Sequence, residues 1–138
     1  MINLSRYFKM RFAQFERRDQ GSNTVGFALI APLLVGVFLA VVQIANLLNV
    51  QTTLIAAANS GARVASTFDA TLMDGTAEAI QRLANQGIVD YESVITRRTS
   101  QNGITFVEVK ITKNYQIPWV GVSLNLLALG KSVDEKSL

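Results

Sequence analysis

The chemistry open to this sequence is limited first by the side chains that it lacks. It contains no His and no Cys, so His-based triads, Cys nucleophiles, zinc–thiolate sites and disulfides are excluded. Three carboxylates, Asp69, Asp74 and Glu78, lie close together in the sequence, and paired carboxylates can act as general acid and base. No second acidic pair accompanies them in register, so we interpret them as helix caps and solvated charges.

Sites for phosphate and nucleic acid find little support. The segment Val120–Asn125 holds a single Gly and lacks the Gly-Lys-Ser/Thr signature of a phosphate-binding loop. Arg97, Arg98, Lys110 and Lys113 make a mildly basic hairpin, which is weak evidence for an anionic partner and fits a soluble strand edge. We therefore expect no enzyme activity, cofactor, metal site, small-molecule substrate or nucleic-acid partner.

The dominant feature is an apolar run near the N-terminus. Residues 25–42 read VGFALIAPLLVGVFLAVV, and no charged residue occurs from Gln20 to Ala62, whereas about 20 apolar residues suffice for a helix to cross a bilayer. Pro32 lies inside the run, and neighbouring helices in lipid can compensate for the backbone hydrogen bond it removes. Gly26 and Gly36 add flexibility. The run predicts a transmembrane helix.

The segment before this run is basic. Its five cations are Arg6, Lys9, Arg11, Arg17 and Arg18. Beside an apolar span, such a cluster favours a cytoplasmic N-terminus, with the C-terminal part periplasmic or extracellular. Two interpretations of residues 1–20 stay open: an amphipathic helix on the cytoplasmic membrane face, and a flexible leader whose role ends with insertion.

The helical pattern continues beyond the membrane length. Apolar and small residues recur at helical spacing in Ile44, Leu47, Leu48, Gln51, Leu54, Ile55, Ala58, Ala62 and Ala65. The pattern predicts one helix from Asn23 to Thr67. Its outer half is rich in Ala, Ser and Gly between Ala56 and Ser66, and small residues let another helix or a sheet approach closely.

The remainder predicts a small domain. A second helix is expected over Met73–Gly87, capped by Asp74 or Thr76, with an apolar stripe formed by Ala77, Ile80, Leu83 and Ala84. Strands are expected over Tyr91–Arg98 and Ile104–Tyr115, joined by a turn at Ser100–Gly103. Ser123–Gly130 is expected to be a short helix or loop, and a last strand is expected around Ser132–Glu135.

The expected core combines strand and C-terminal residues. Val107, Val109 and Ile111 share one strand face, and we expect them to form the core, or partly a contact surface, together with Trp119 and Leu124–Leu129. The fold class is therefore α+β: a long N-terminal transmembrane helix that extends into a small extracytoplasmic domain with a second helix and a short antiparallel sheet. The predicted divisions are a leader (1–21), the transmembrane and extended helix (22–68) and the domain (69–138).

Three segments together resemble the TadE-like family, the pseudopilins of tight-adherence pilus systems. GSNTVGFALIAPLL (Gly21–Leu34) is similar to the family's start, and QTTLIAAANSGARVAS (Gln51–Ser66) is similar to its outer helix, with Gly61, Ala62 and Arg63 as the motif. VEVKITKNYQIPW (Val107–Trp119), followed by an apolar segment, resembles the end of family members.

The resemblance implies processing and assembly in a bacterial inner membrane. A prepilin peptidase would cut between Gly21 and Ser22, so the apolar run would be kept. Gly26, Phe27, Pro32 and Gly36 would lie in the helix that packs against other pilin-like subunits. Further implied partners are membrane lipid and the pilus assembly platform, and entry into the pilus itself is left open.

One position departs from the family pattern. Family members carry Glu at the fifth mature position, where it is thought to pair with a neighbour's N-terminal amine, and this sequence has Gly26 there. A buried carboxylate is costly unless it is paired. Its absence implies a poor repeated subunit and favours a component that initiates or caps the pilus.

Alternatives to this interpretation remain. The chain would otherwise be an unprocessed single-span scaffold protein whose outer domain binds pilus or secretion machinery, or a secreted protein cut by signal peptidase near Ala56–Ala58. TadE-type and TadF-type roles share this outline.

Overall fold

The computed structural model describes the backbone of residues 4–137 and the side chains of residues 24–136. Its elements are helix α1 (Leu4–Ser66), helix α2 (Leu72–Asn85), strands β1 (Ser93–Gln101), β2 (Ile104–Gln116) and β3 (Ser123–Val133), and a 3-10 turn over Glu135–Ser137. The predicted α+β class, with a long N-terminal apolar helix, a second helix and an antiparallel sheet, is confirmed.

The chain forms two compact units, residues 1–42 and 43–138. The first unit contains the beginning of α1. The second contains the rest of α1, α2 and the sheet. The side chains of the basic N-terminal segment, and those of Gly21 and Ser22, lie outside the described residues. The predicted division at residues 21, 68 and 138 stays a prediction.

The sheet has the strand order β1-β2-β3, with both pairs antiparallel. Gln101 pairs with Ile104, which leaves Asn102 and Gly103 as a two-residue turn with φ of 55° and 81°. Positive φ at both central positions defines a type I′ turn, and Asn-Gly tolerates that conformation. The predicted hairpin turn is confirmed, although β1 begins and ends later than the predicted Tyr91–Arg98.

The prediction of a helix or loop over Ser123–Gly130 is wrong. This segment is the greater part of β3, and it pairs with β2 in the register Ile111↔Ala128 and Val109↔Gly130. A short, almost uninterrupted apolar run does not distinguish helix from buried strand, and here pairing with β2 decides the outcome. The last strand ends at Val133, so the strand expected around Ser132–Glu135 is the end of β3.

The core of the second unit lies between the sheet and the two helices. Its buried residues are Leu54, Ala57, Ala58, Ala62, Ala79, Leu83, Ile88, Val109, Ile111 and Ala128. Val107 is also fully buried, so the expected burial of Val107, Val109 and Ile111 on one face of β2 is confirmed.

Trp119 does not join this core. Its side chain is 97% exposed, in the loop between β2 and β3, and its φ is +75°. Leu127 and Leu129 are also about half exposed, because alternate residues of β3 point away from the helices. The predicted place of Trp119 in the core is wrong, and the alternative that it belongs to a contact surface stays a prediction. Within Leu124–Leu129, Ala128 is buried and Leu126 packs against the core, whereas Leu127 and Leu129 do not join it.

Helix α2 is capped by a residue that the sequence prediction overlooked. The Thr71 hydroxyl accepts a hydrogen bond from the Asp74 backbone N–H, and the Asp74 carboxylate accepts one from the Thr71 backbone N–H, which is a reciprocal capping box. The buried face of α2 consists of Gly75, Ala79 and Leu83. Ala77 and Ala84, assigned to the apolar stripe, are exposed.

Small residues allow the backbones of the second unit to come very close. A Cβ atom built on Gly61 of α1 would lie 2.5 Å from the Gly75 carbonyl oxygen and 3.0 Å from the Ala79 Cβ. A Cβ on Gly130 of β3 would collide with the backbone of Ala58. Helix α1 therefore touches α2 on one side and β3 on another without intervening side chains, and close packing of this kind leaves no space for a methyl group.

We predict that Gly61→Ala destabilises the second unit. Overpacking costs about 1–3 kcal/mol, which exceeds the gain of up to about 1 kcal/mol from replacing Gly by Ala in a helix. The measurement is thermal unfolding of the full chain in detergent micelles, followed by circular dichroism. Gly36→Ala is the matched control, because a Cβ there meets no atom within 4 Å. Equal melting of Gly61→Ala and the wild type would contradict the packing described.

Candidate assembly surfaces

The first candidate surface is the apolar stretch of α1. Residues Thr24–Ser66 include a window long and apolar enough to cross a membrane by length and composition, none of it buried in the protein. The exposed apolar side chains between residues 25 and 42 are Val25, Phe27, Leu29, Ile30, Leu33, Leu34, Val35, Val37, Phe38, Leu39, Val41 and Val42. Water would make such a surface unfavourable, whereas hydrocarbon surrounds it at no such cost.

The four residues predicted to pack in the membrane lie along this stretch. Phe27 is 70% exposed, and Cβ atoms built on Gly26 and Gly36 would meet no other part of the described chain within 4 Å. Pro32 lies within the helix, which continues on both sides of it. The structure therefore places these four residues along one exposed stretch of helix.

The outer motif of α1 divides between two environments. Gly61 and Ala62 are buried against the second unit, whereas Arg63 is exposed. Arg63 lines an open groove together with Ser66, Thr67 and Glu135. Gly61 and Ala62 thus have a packing role, whereas Arg63 presents a positive charge at the surface.

A hydrogen bond connects α1 to an ion pair of α2. The Glu78 carboxylate accepts hydrogen bonds from Arg82 (2.7 Å) and from the Ser60 hydroxyl of α1 (2.9 Å). The bond from Arg82, supported by that from Ser60, lowers the pKa of Glu78. At the capping box, hydrogen bonds from the Thr71 backbone N–H and hydroxyl lower the pKa of Asp74. Asp74 and Glu78 therefore act as structural anions, in agreement with their predicted roles as caps and surface charges.

Asp134 is a buried carboxylate at the end of β3. Its side chain is 3% exposed and accepts a hydrogen bond of 2.7 Å from Arg98 of β1. The Arg98 guanidinium, joined by the Lys136 backbone N–H, holds the pKa of Asp134 below its ordinary value, although burial acts in the opposite direction. This pair connects the C-terminal segment to the edge strand β1.

A third ion pair lies near the other end of the sheet. The buried Lys113 ammonium contacts the Asp90 carboxylate and donates to the Asp90 carbonyl. The hydrogen bond from Lys113 lowers the pKa of Asp90. A buried cation is tolerated when it is paired in this way, so Lys113 anchors the loop between α2 and β1.

The outer sheet face, which points away from the helices, carries mixed chemistry. Arg97 pairs with Glu108 at 2.6 Å, and the Lys131 ammonium lies 4.3 Å from the centre of the Phe106 ring, a cation–π contact. Part of the positive charge of the predicted basic hairpin is therefore paired within the sheet. Among the described residues there is no group of three or more His, Cys, Asp or Glu side chains able to hold a metal ion.

Comparison with known proteins bears on the first of these surfaces. Residues 21–63 match the model of the TadE-like protein family. This segment is TadE-like. The TadE-like segment starts at Gly21, contains the apolar stretch of α1 and ends at Arg63, so it includes all nine residues that the sequence predicted for processing, membrane packing and the outer motif. No curated protein and no solved structure gives a significant match.

Residues 21–63 are thus similar to a family of pilin-like proteins associated with Tad pili. Such proteins are not a family of enzymes. The single candidate membrane helix of the described chain also fits a single-pass membrane protein.

Two interactions were not predicted from the sequence: the capping box of α2 and the Arg98–Asp134 ion pair. The capping box had a readable signal, since Thr71 precedes Asp74 by three positions. The Arg98–Asp134 pair had none, because it joins residues 36 positions apart whose proximity depends on the sheet order.

We predict that stability falls in acid because of Asp134. A carboxylate with a lowered folded pKa stabilises the protein above its unfolded pKa of about 3.9, and that contribution is lost as the pH falls through the folded value. Asp134→Asn should cost about 1–3 kcal/mol at neutral pH and should weaken the acid dependence. Chemical unfolding across this pH range measures both, with exposed Asp69→Asn as control. An unchanged acid dependence in Asp134→Asn would contradict the assignment.

Proposed function

We propose that the protein is a pseudopilin or minor pilin of a tight-adherence pilus system, anchored in the bacterial inner membrane. The observation that carries this proposal is the coincidence of the TadE-like segment, residues 21–63, with the apolar and outer parts of one helix. A pilin-like subunit needs such a helix, because it serves first as a membrane anchor and later as the packing element of a filament.

The proposed orientation follows from charge. The basic N-terminal segment stays in the cytoplasm, and the second unit lies in the periplasm or outside the cell. The uncovered apolar side chains from Val25 to about Leu48 contact lipid and the equivalent helices of other subunits. Van der Waals contact at small residues, including Gly26 and Gly36, drives this lateral packing, because lipid removes the hydrophobic advantage of helix association.

The proposed maturation step removes the leader. Prepilin peptidase hydrolyses the Gly21–Ser22 peptide bond, and the new N-terminus is the Ser22 amine. The start of the TadE-like segment at Gly21 supports this position. The proposed protein is not an enzyme and needs no cofactor; its partners are the peptidase, lipid, other pilin-like subunits and the assembly platform.

The proposed role within the pilus is initiation or capping. Gly26 offers no carboxylate to pair with the N-terminal amine of a neighbour, so this subunit adds poorly beneath an existing one. A subunit at the tip has no neighbour above it and does not need that pair.

We predict that protein recovered from membranes begins at Ser22. N-terminal sequencing or intact mass measures this directly. Gly21→Leu should leave the leader attached, because the larger side chain obstructs cleavage next to the bond, whereas Gly36→Leu, farther along the same helix, should be cut normally. A wild-type start at Met1 would instead support the unprocessed scaffold protein, and a start near Asn59 would support a secreted product.

We further predict that Gly26→Glu is still cleaved but changes incorporation. The added carboxylate can pair with the amine of another subunit, which makes the protein a better repeated subunit. Crosslinking to other pilin-like subunits and counts of surface pili measure the change, with uncharged Gly26→Ala as control. If Gly26→Glu behaved as wild type in both measurements, the initiating or capping role would be abandoned.

A further inference from the structure

The loop between β2 and β3 exposes large apolar side chains. Trp119, Val120 and Val122 are 97%, 66% and 46% exposed. The loop is nevertheless closed at its base, because the Ile117 N–H donates a 2.8 Å hydrogen bond to the Val122 carbonyl. Trp119 has a φ of +75°, a conformation that is unfavourable for a bulky residue. Trp119 thus lies within a turn closed by this hydrogen bond, and its ring is uncovered by the rest of the described chain.

The contacts of β3 show at which end of the second unit this loop lies. Along α1, Ser66 bonds to Ser132, and the Gln51 amide donates to the Leu127 carbonyl. Helix α1 and strand β3 therefore run in the same direction, and the start of β3 lies toward the start of α1 within this unit. Ser123, where β3 begins, lines one depression with Val50 of α1. The loop is thus level with the first turns of α1 in the second unit.

The exposed residues of α1 at this level are also apolar. Ile44 and Leu48 are 57% and 58% exposed, and they continue the apolar stretch that precedes residue 43 in the chain. Val89, in the loop between α2 and β1, is 75% exposed. It follows Ile88 and precedes Asp90, which line a depression with Val50 and Ser123. Three separate segments thus present apolar side chains at the same end of the second unit.

Charge is missing from the segment that forms most of this end. No charged residue occurs from Asn114 to Gly130. The nearest cation in sequence, Lys113, is buried and paired with Asp90. A surface with a Trp, several Val and no free cation does not fit an anionic macromolecule. It fits the boundary between headgroups and acyl chains, where Trp is enriched because its ring is apolar and its N–H is polar.

We propose that the β2–β3 loop is a second membrane contact, with Trp119 seated in the interface of the leaflet that α1 leaves. The occupant is a lipid surface. The proposal rests on the membrane anchoring by α1 in the proposed function. Anchoring by α1 brings the loop to the bilayer, and burial of Trp119, Val120 and Val122 then restricts how the second unit tilts and turns on the membrane. A subunit fixed in this way presents one defined face to its neighbours before it is extracted into a filament.

The chain contains one Trp, so its intrinsic fluorescence reports the loop without a label. The full chain is reconstituted at low density in vesicles of phosphatidylethanolamine and phosphatidylglycerol and recovered by flotation. We expect blue-shifted emission, several-fold weaker quenching by aqueous iodide than for the chain unfolded in denaturant, and strong quenching by lipids that carry a nitroxide near the headgroup. Lipids with the nitroxide at the chain end should quench less.

The matched control moves the reporter to the other end of the sheet. Trp119→Phe combined with Ile104→Trp places the Trp beside the β1–β2 turn, at an exposed position. Its emission should be quenched strongly by iodide and weakly by either nitroxide lipid. This pattern in the wild type would overturn the proposal, while flotation of the same sample would leave the anchoring by α1 intact. Failure to float would overturn both.

A protein partner would give a different result. If a second copy of the chain covers Trp119, iodide protection depends on the protein-to-lipid ratio and quenching by nitroxide lipid is absent. That outcome would overturn the lipid contact in favour of an interface between copies.

Discussion

In the proposed function, helix α1 meets two different surroundings, lipid and protein, with one continuous backbone. A helix satisfies its own N–H and C=O groups internally, which is what lipid demands of a spanning segment. Residues 25–42 contain twelve large apolar side chains that are exposed. From Ala57 to Ala65 the buried positions are small, because the backbones of α2 and β3 approach to within contact distance. The large exposed apolar residues are thus concentrated before residue 43, and the small buried residues lie between Ala57 and Ala65.

Close contact of the α1 backbone with α2 and β3, together with a few ion pairs, holds the second unit together. Half of its ten core residues are Ala, and each of these side chains buries little area. Close backbone contact compensates, since dispersion depends on near-optimal distances between many atoms. Asp134 and Lys113 are buried, and each has an oppositely charged partner, which avoids the large cost of an unpaired buried charge. The two pairs tie the C-terminal segment and the α2–β1 loop to the sheet.

The sequence predicted the features that depend on local pattern. The charge-free run predicted α1, Asn102–Gly103 predicted the hairpin, and alternation predicted the burial of Val107, Val109 and Ile111. The failures depend on long-range pairing. Ser123–Gly130 has no clear period of its own, and only its pairing with β2 makes it a strand. Trp119 was expected in the core or at a contact surface, but its loop lies beyond the end of the sheet, where the described residues leave its side chain exposed.

The candidate surfaces follow the same division. The resemblance of residues 21–63 to the TadE-like family is confirmed by comparison with known families. It could be recognised from the sequence because the apolar run and the outer motif are each continuous segments. The apolar end of the second unit could not be predicted, since it combines side chains from α1, the α2–β1 loop and the β2–β3 loop. Their common position depends on the direction of β3 relative to α1.

Alkaline carbonate extraction of membranes from cells that produce the full chain tests most directly whether α1 is retained as a membrane anchor. Peripheral proteins are released by this treatment, whereas proteins with a spanning helix stay in the pellet with the lipid. If α1 spans the bilayer, the protein remains in the pellet after repeated washing. Quantitative release of an intact chain that still contains residues 25–42 would contradict the proposed anchoring.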